Sequence, residues 1–184
     1  YIWESVCSTI RQWIDAGMRP VPLSINVTKM DILAMDVVEY FTNLVKKYRV
    51  PPRYLEIEIA ETAYLNAAHS VMEIEEQLRA EGFRVVIDGF DGDFIVLKDM
   101  DNISADALKL DLRRFAGKQS PEAIAELFAH ARRLKLNLTA EGIESMEQLT
   151  LLRKCGCSEG QGFLLSKPIT VQEFEELTNK ETMK

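Results

Sequence analysis

The sequence predicts an α/β protein, a (β/α) TIM-like barrel incomplete at its N-terminus, with about six of the eight βα units. Three observations predict it. Short apolar segments alternate with amphipathic helical ones, which argues for parallel strands joined by right-handed crossovers. The strands are nearly continuous in apolar residues, as strands covered on both faces must be. Polar residues stand late in them, at Asn26, Glu58, Asp88, Lys109 and Glu141. Nearly every strand supplies one. A barrel mouth collects such ends, whereas a doubly wound open sheet, the runner-up, binds only near a switch point.

The elements follow in order. Ile2, Val6, Ile10, Trp13 and Ile14 recur at helical spacing, and Gly17 suits the exit. Leu23 to Val27 reads as a strand. A helix runs from about Asp31 through Leu33, Val37, Tyr40, Phe41, Leu44 and Tyr48, and Val50-Pro51-Pro52 stops it. Tyr54 to Ala60 alternates Leu55, Ile57 and Ile59 with Glu56 and Glu58, a strand. A helix through Val71, Ile74 and Leu78 ends near Gly82, and Phe83 to Asp88 is the next strand. A short helix through Leu97 and Met100 leads to the strand Ala107 to Asp111. Ser120-Pro121-Glu122 opens a helix with a side-chain cap and a first-turn proline, its inner face Ile124, Leu127, Phe128, Ala131 and Leu134. Leu136 to Glu141 is a strand. Ser145-Met146-Glu147-Gln148 fits a capping box, and the helix behind it reaches about Cys155. Gly162 to Leu165 reads as a last short strand, and Thr170-Val171-Gln172-Glu173 opens a terminal helix with Phe174 and Leu177.

With 184 residues, the chain is expected to form one partial domain over 1–184. A closed barrel uses eight strands and about 250 residues, and this chain begins on a helix, so roughly two strands and one helix are expected ahead of it. Lys and Arg number 22 against 29 Asp and Glu, a net charge of −7, which disfavours gripping long nucleic acid through its phosphates. A small anionic ligand remains compatible if cations offset the charge. No apolar run is long enough to span a bilayer, and Tyr1-Ile2-Trp3-Glu4 lacks the layout of a signal peptide. Three cysteines, Cys7, Cys155 and Cys157, fit a reducing cytosol, so the chain is expected to be cytoplasmic, any membrane anchor of a parent protein lying elsewhere. Cys155-Gly156-Cys157 has no further ligands nearby and reads as two half-buried thiols after a helix.

Asn26, Glu58, Asp88 and Glu141 are oxygen donors, a set that suits Mg²⁺ or Mn²⁺ at one barrel mouth. Without a cation such carboxylates repel one another and take up protons. Lys109 among them would stabilise the anions or orient a water. Two cations about 3.5–4 Å apart can activate water and steady the leaving oxygen of a phosphodiester. Zinc suits the set less well, since neither His nor Cys clusters with it; His69 and His130 read as ordinary helix-surface residues. Any single acid of the set serves equally as a helix cap or ion-pair member. Their combination across strands points to a site.

The ordered motifs Ser24-Ile25-Asn26-Val27, Glu58-Ile59-Ala60-Glu61, Val86-Ile87-Asp88-Gly89-Phe90, Leu108-Lys109-Leu110-Asp111, Ala140-Glu141-Gly142-Ile143-Glu144 and Gly160-Gln161-Gly162-Phe163 resemble those of EAL domains. The resemblance spans essentially the whole chain and is most specific from Thr139 to Pro168. It implies a (β/α) barrel that hydrolyses cyclic di-GMP to linear pGpG with Mg²⁺ or Mn²⁺. It further implies metal roles for Asn26, Glu58, Asp88 and Glu141, with Glu141 and Lys109 catalytic and Lys109 beside the attacking water. Gln161 and Glu144 would face the substrate, Glu61 would steady the loop after the strand ending in Asp88, and Asp111 would support. Homodimerisation and a fused GGDEF or sensor domain upstream are implied too.

The chain departs from that pattern. Glu-Ala-Leu is absent, and the usual Asp-Asp pair is Asp88-Gly89. The Thr usual between the paired glutamates is Ala60, and the loop usually written Phe-Gly-Thr-Gly-Tyr-Ser-Ser reads Phe90-Asp91-Gly92-Asp93-Phe94-Ile95-Val96. In the family that loop couples dimerisation to catalysis. Asp91 or Asp93 is a weak substitute for the lost carboxylate, because loop acids are usually solvated. The expectation is a degenerate EAL domain, inactive or weakly active. The alternatives are an active phosphodiesterase completed by preceding strands and a non-catalytic module that binds cyclic di-GMP or a protein.

Overall fold

The computed structural model describes residues 1–91, 105–114 and 120–182. Helix α1 (Ile2–Asp15) buries Cys7, Ile10 and Trp13 and is followed by strand β1 (Leu23–Val27). Where the spacing predicts one helix from Asp31 to Tyr48, the structure has two, α2 (Lys29–Ala34) and α3 (Val37–Tyr48). The break is chemical. Thr28 and Asp31 form a capping box, Met35 is extended, and the Asp36 carboxylate accepts the Glu39 N–H at 2.9 Å, starting a new helix.

Strand β2 (Leu55–Ala60) leads through a 3₁₀ turn (Glu61–Ala63) to α4 (Tyr64–Ala80) and β3 (Arg84–Phe90). Strand β4 (Ala107–Asp111) precedes α5 (Pro121–Arg133), β5 (Asn137–Glu141), α6 (Met146–Lys154), β6 (Glu159–Gly160) and α7 (Val171–Thr182). The helix expected through Leu97 and Met100 lies outside the described residues. The last strand differs from expectation: it is Glu159–Gly160, and 162–165 is a turn. Gly162 lies so close to the Ile143 backbone that a Cβ there would stand 2.2 Å from Ile143 O. Leu164 N–H bonds to Ile143 O, and Leu165 and Ser166 N–H fold back onto Gly162 O. The close approach and the turn bonds take these residues out of the ladder.

The six strands are all parallel and stand in sequence order, β1-β2-β3-β4-β5-β6. The outward residues, Ile25, Val27, Leu55, Ile57, Ile59, Val85, Ile87, Leu108 and Leu138, are buried beneath the helices. Each such side chain contributes about 1.5–3 kcal/mol on burial. The sheet curls into a barrel wall. One interior cavity of about 190 Å³ takes lining from Ser24, Glu56, Arg84, Lys109, Thr139 and Glu159, one residue from each strand. The first and last helices meet, with the Trp13 and Phe174 rings 5.6 Å apart and Trp13 Nε1 donating to Glu175 Oε1 at 2.7 Å. Among the described residues no helix is long and apolar enough to cross a membrane.

Candidate active site

The pleat decides what faces the mouth. Outward residues alternate with inward ones, and the register aligns the inward positions across strands: Asn26 opposite Glu58, Ala60 opposite Asp88, Asp111 opposite Glu141. The polar strand ends therefore share one rim. On β3 the regular count fails. Ile87 pairs with Leu108 and Phe90 with Leu110, three steps along β3 for two along β4, a β-bulge. Ile87 and Phe90 both point outward and are fully buried. Asp88 and Gly89 between them both stand on the mouth side, half-buried. Gly89 has φ +78°, a left-handed conformation that favours glycine. The Arg114 guanidinium lies against it: Nη1 donates to Gly89 O and stands 3.0 Å from where a Cβ would be.

The charges are strongly coupled. Lys109 and Glu58, with side chains 10% and 6% exposed, form a buried ion pair through Nζ and Oε1. Asp88 Oδ1 is buried and accepts no hydrogen bond from the protein. Burial raises the Asp88 carboxyl above its ordinary value, Glu58 adds to the rise, and Lys109 opposes it. Burial likewise raises Glu141, helped by Asp88 and Asp111, while Lys109 and a hydrogen bond from Gln161 Nε2 (3.0 Å) pull it down. Burial pushes Asp111 up, but Arg113 outweighs it, donating from its backbone N (2.9 Å), Nε (3.1 Å) and Nη2 (3.3 Å) and holding the carboxyl below the ordinary range.

Beside the rim lies a cavity of about 440 Å³ lined by Arg113, Glu141, Glu144, Gln161, Phe163 and Lys167 among others. It brings both residues expected at the substrate, Glu144 and Gln161, next to Glu141. Glu61 is buried in the turn after β2, at 7% exposure. The loop it was expected to steady falls mostly outside the described residues, as does Asp93; Asp91 is half-buried at the end of β3. Asn26 is exposed on β1. His69 is exposed and pairs with Glu73 at 3.3 Å, away from the rim elements. Cys155 is buried behind α6 and Cys157 is half-buried.

Sequence reasoning missed Arg113 and Arg114, which follow β4 and carry cations to the mouth. It also missed a polar layer below the rim, where Glu56 accepts from Ser24 at 2.7 Å and pairs with Arg84 at 3.0 Å, and Arg84 reaches Glu159 at 3.7 Å. The inward register of Glu56 with Glu58 was its only advance signal.

The oxygen donors at the rim have the chemistry of a hard-cation site, and the unpaired buried Asp88 oxygen fits a cation or a proton. Among the described residues no three His, Cys, Asp or Glu side chains are grouped closely enough to cage a metal ion. Gly89, the other mouth-side position of the bulge, carries no side chain.

The fold and the rim define a parallel α/β barrel with polar strand ends at one mouth, and similarity to known proteins identifies its family. A family model described as EAL domain matches residues 1–168, and the chain belongs to the EAL domain family. The bifunctional diguanylate cyclase/cyclic di-GMP phosphodiesterase MucR of Pseudomonas aeruginosa is 26% identical over 179 residues, 95% of this chain and 26% of MucR. The cyclic di-GMP phosphodiesterase RocR of the same organism is 30% identical over 161 residues, 85% of this chain and 41% of RocR. The chain thus spans about a quarter to two-fifths of these relatives' length. Among solved structures, the EAL domain of Mycobacterium smegmatis DcpA superposes with a TM-score of 0.85 at 29% identity, covering 96% of this chain and 82% of that one. The PaMucR phosphodiesterase in complex with c-di-GMP gives 0.83 at 26% identity, covering 94% and 72%.

Proposed function

We propose that this chain is a degenerate EAL domain that binds cyclic di-GMP and hydrolyses it weakly or not at all. The observation that carries the reading is Gly89. The β3 bulge turns this position toward the mouth, where a carboxylate would serve a second cation, and glycine supplies none. Two-cation phosphodiester cleavage depends on both cations, so one missing ligand removes most of the rate. Similarity to relatives named as cyclic di-GMP phosphodiesterases, and to the PaMucR complex with c-di-GMP, supports the choice of ligand.

Asn26, Glu58, Asp88 and Glu141 do not stand as a preformed cage, but they are the rim oxygen donors that would hold one Mg²⁺ or Mn²⁺, which when bound would supply Lewis-acid polarisation of a phosphodiester and its attacking water. The residues of the chain do the rest. Lys109 neutralises Glu58 and lowers the cost of the neighbouring acids. Gln161 fixes the Glu141 carboxylate, and with Glu144 it faces the adjacent cavity, where hydrogen bonds to a nucleotide base or ribose are available. The same residues suit an active phosphodiesterase whose remaining ligand comes from another segment; the intact Lys109–Glu58 pair and the Glu141–Gln161 bond favour that second reading.

Two measurements on the full chain test the proposal. Calorimetry with cyclic di-GMP should show binding. Chromatography after incubation with Mn²⁺ should show little or no pGpG. Complete conversion that Glu58→Ala abolishes overturns the degenerate reading in favour of the active one, and absence of binding overturns both.

A further inference from the structure

We propose that Arg114 is a phosphate-binding residue of this domain, its guanidinium supplying at position 89 the positive charge that a second bound cation would otherwise supply. The inference rests on the reading that the chain binds cyclic di-GMP.

Three observations carry it. The bulge between Ile87 and Phe90 places both Asp88 and Gly89 on the mouth side of the sheet, while their neighbours are buried outward. Position 89 is therefore a mouth position whose occupant matters. Its own residue has no side chain, and the group that fills the space is the Arg114 guanidinium, with Nη1 on Gly89 O and 3.0 Å from the Cβ position. Finally, Arg114 is exposed, unlike the buried Lys109, whose ammonium is already committed to Glu58. A guanidinium has five N–H donors in a planar fork, and Gly89 takes one. Among the described residues no other acceptor takes the fork, which can make paired, charge-assisted bonds to phosphate oxygens.

The site is also short of positive charge without it. Glu58, Asp88, Asp111 and Glu141 crowd one rim of a chain with net charge −7, and Arg113 is spent on Asp111. A dianionic dinucleotide entering such a mouth needs a cation whose charge remains available to it. Among the described residues the Arg114 guanidinium bonds to the Gly89 carbonyl, an uncharged partner. The anchor on Gly89 O also holds the long side chain in place before the ligand arrives, which lowers the ordering cost of binding.

The test is titration calorimetry of cyclic di-GMP into the full chain, in EDTA and in Mg²⁺, for the natural protein, Arg114→Ala and Arg114→Lys. Arg114 is exposed, so both variants should keep the natural melting temperature, checked by circular dichroism. The natural protein should bind in EDTA. Arg114→Ala should weaken that binding by about tenfold or more, the loss expected for hydrogen bonds to a charged group. Arg114→Lys, which keeps the charge but not the fork, should recover part of it. Unchanged binding by Arg114→Ala in EDTA overturns the inference and leaves the domain a cyclic di-GMP binder. Binding of the natural protein in Mg²⁺ only does the same. Failure to bind in either buffer overturns the proposed function itself, and the inference with it.

Discussion

Replacing Lys109 by methionine tests the electrostatics of the rim. The Lys109 and Glu58 side chains are 10% and 6% exposed, so neither charge is solvated enough to stand alone. Removing one partner of a buried pair leaves an uncompensated charge and costs about 3–5 kcal/mol, and the mouth's opening to water on one side favours the lower end. For a domain of this size, a loss of about 3 kcal/mol lowers Tm by roughly 6–12 °C. Removing both charges, in Lys109→Met with Glu58→Gln, should recover most of the loss, because two neutral groups of similar size have little left to desolvate. Thermal melts of the four proteins in EDTA form a double-mutant cycle. The reasoning fails if Lys109→Met melts within about 2 °C of the natural protein, or if the double variant is no better than the single one.

Three further outcomes are expected. Arg113→Ala should lower Tm at neutral pH, because Arg113 holds the Asp111 carboxyl below its ordinary value; that contribution is fully present above the ordinary aspartate range and is lost as pH falls through the depressed value. Melts from pH 7 to pH 3 check this, and a gap that widens on acidification would contradict it. Trp13→Ala should cost about 3–5 kcal/mol in urea unfolding, since the ring is 4% exposed and joins the first helix to Phe174 and Glu175 of the last; a cost below about 1 kcal/mol would show that this closure contributes little. Burial pushes the Cys7 thiol up to about 11, so iodoacetamide at pH 8 should leave Cys7 intact in the native protein and modify it in urea, read by mass spectrometry.

The strands and their order were legible because buried parallel strands have to be apolar and their polar ends have to face the mouth. Leu55 to Ala60 shows this: its alternation put Glu56 and Glu58 on one face, as the register does. The single helix read from Asp31 to Tyr48 was wrong because its apolar spacing continues across Met35, while the local competition of the Asp36 side chain for the Glu39 N–H breaks the backbone. The last strand was misplaced by three residues because Phe163 and Leu164 look like strand residues. Gly162, pressed against Ile143, makes them a turn. The positions of Asp88, Asp111 and Glu141 near the ends of their strands could be read from the sequence, since each follows an apolar run. The bulge at Asp88-Gly89 could not, because it is a mismatch between two strands and neither strand's pattern reveals it. The position of Arg114 depends on that bulge and was equally hidden.

On the proposed reading, the rim takes one divalent cation and not two. Anomalous diffraction from a crystal of the full chain soaked with Mn²⁺ and cyclic di-GMP measures this directly. At most one manganese peak is expected, next to Asp88, with the dinucleotide in the same mouth. Two manganese peaks bridged by the dinucleotide's phosphate would contradict it.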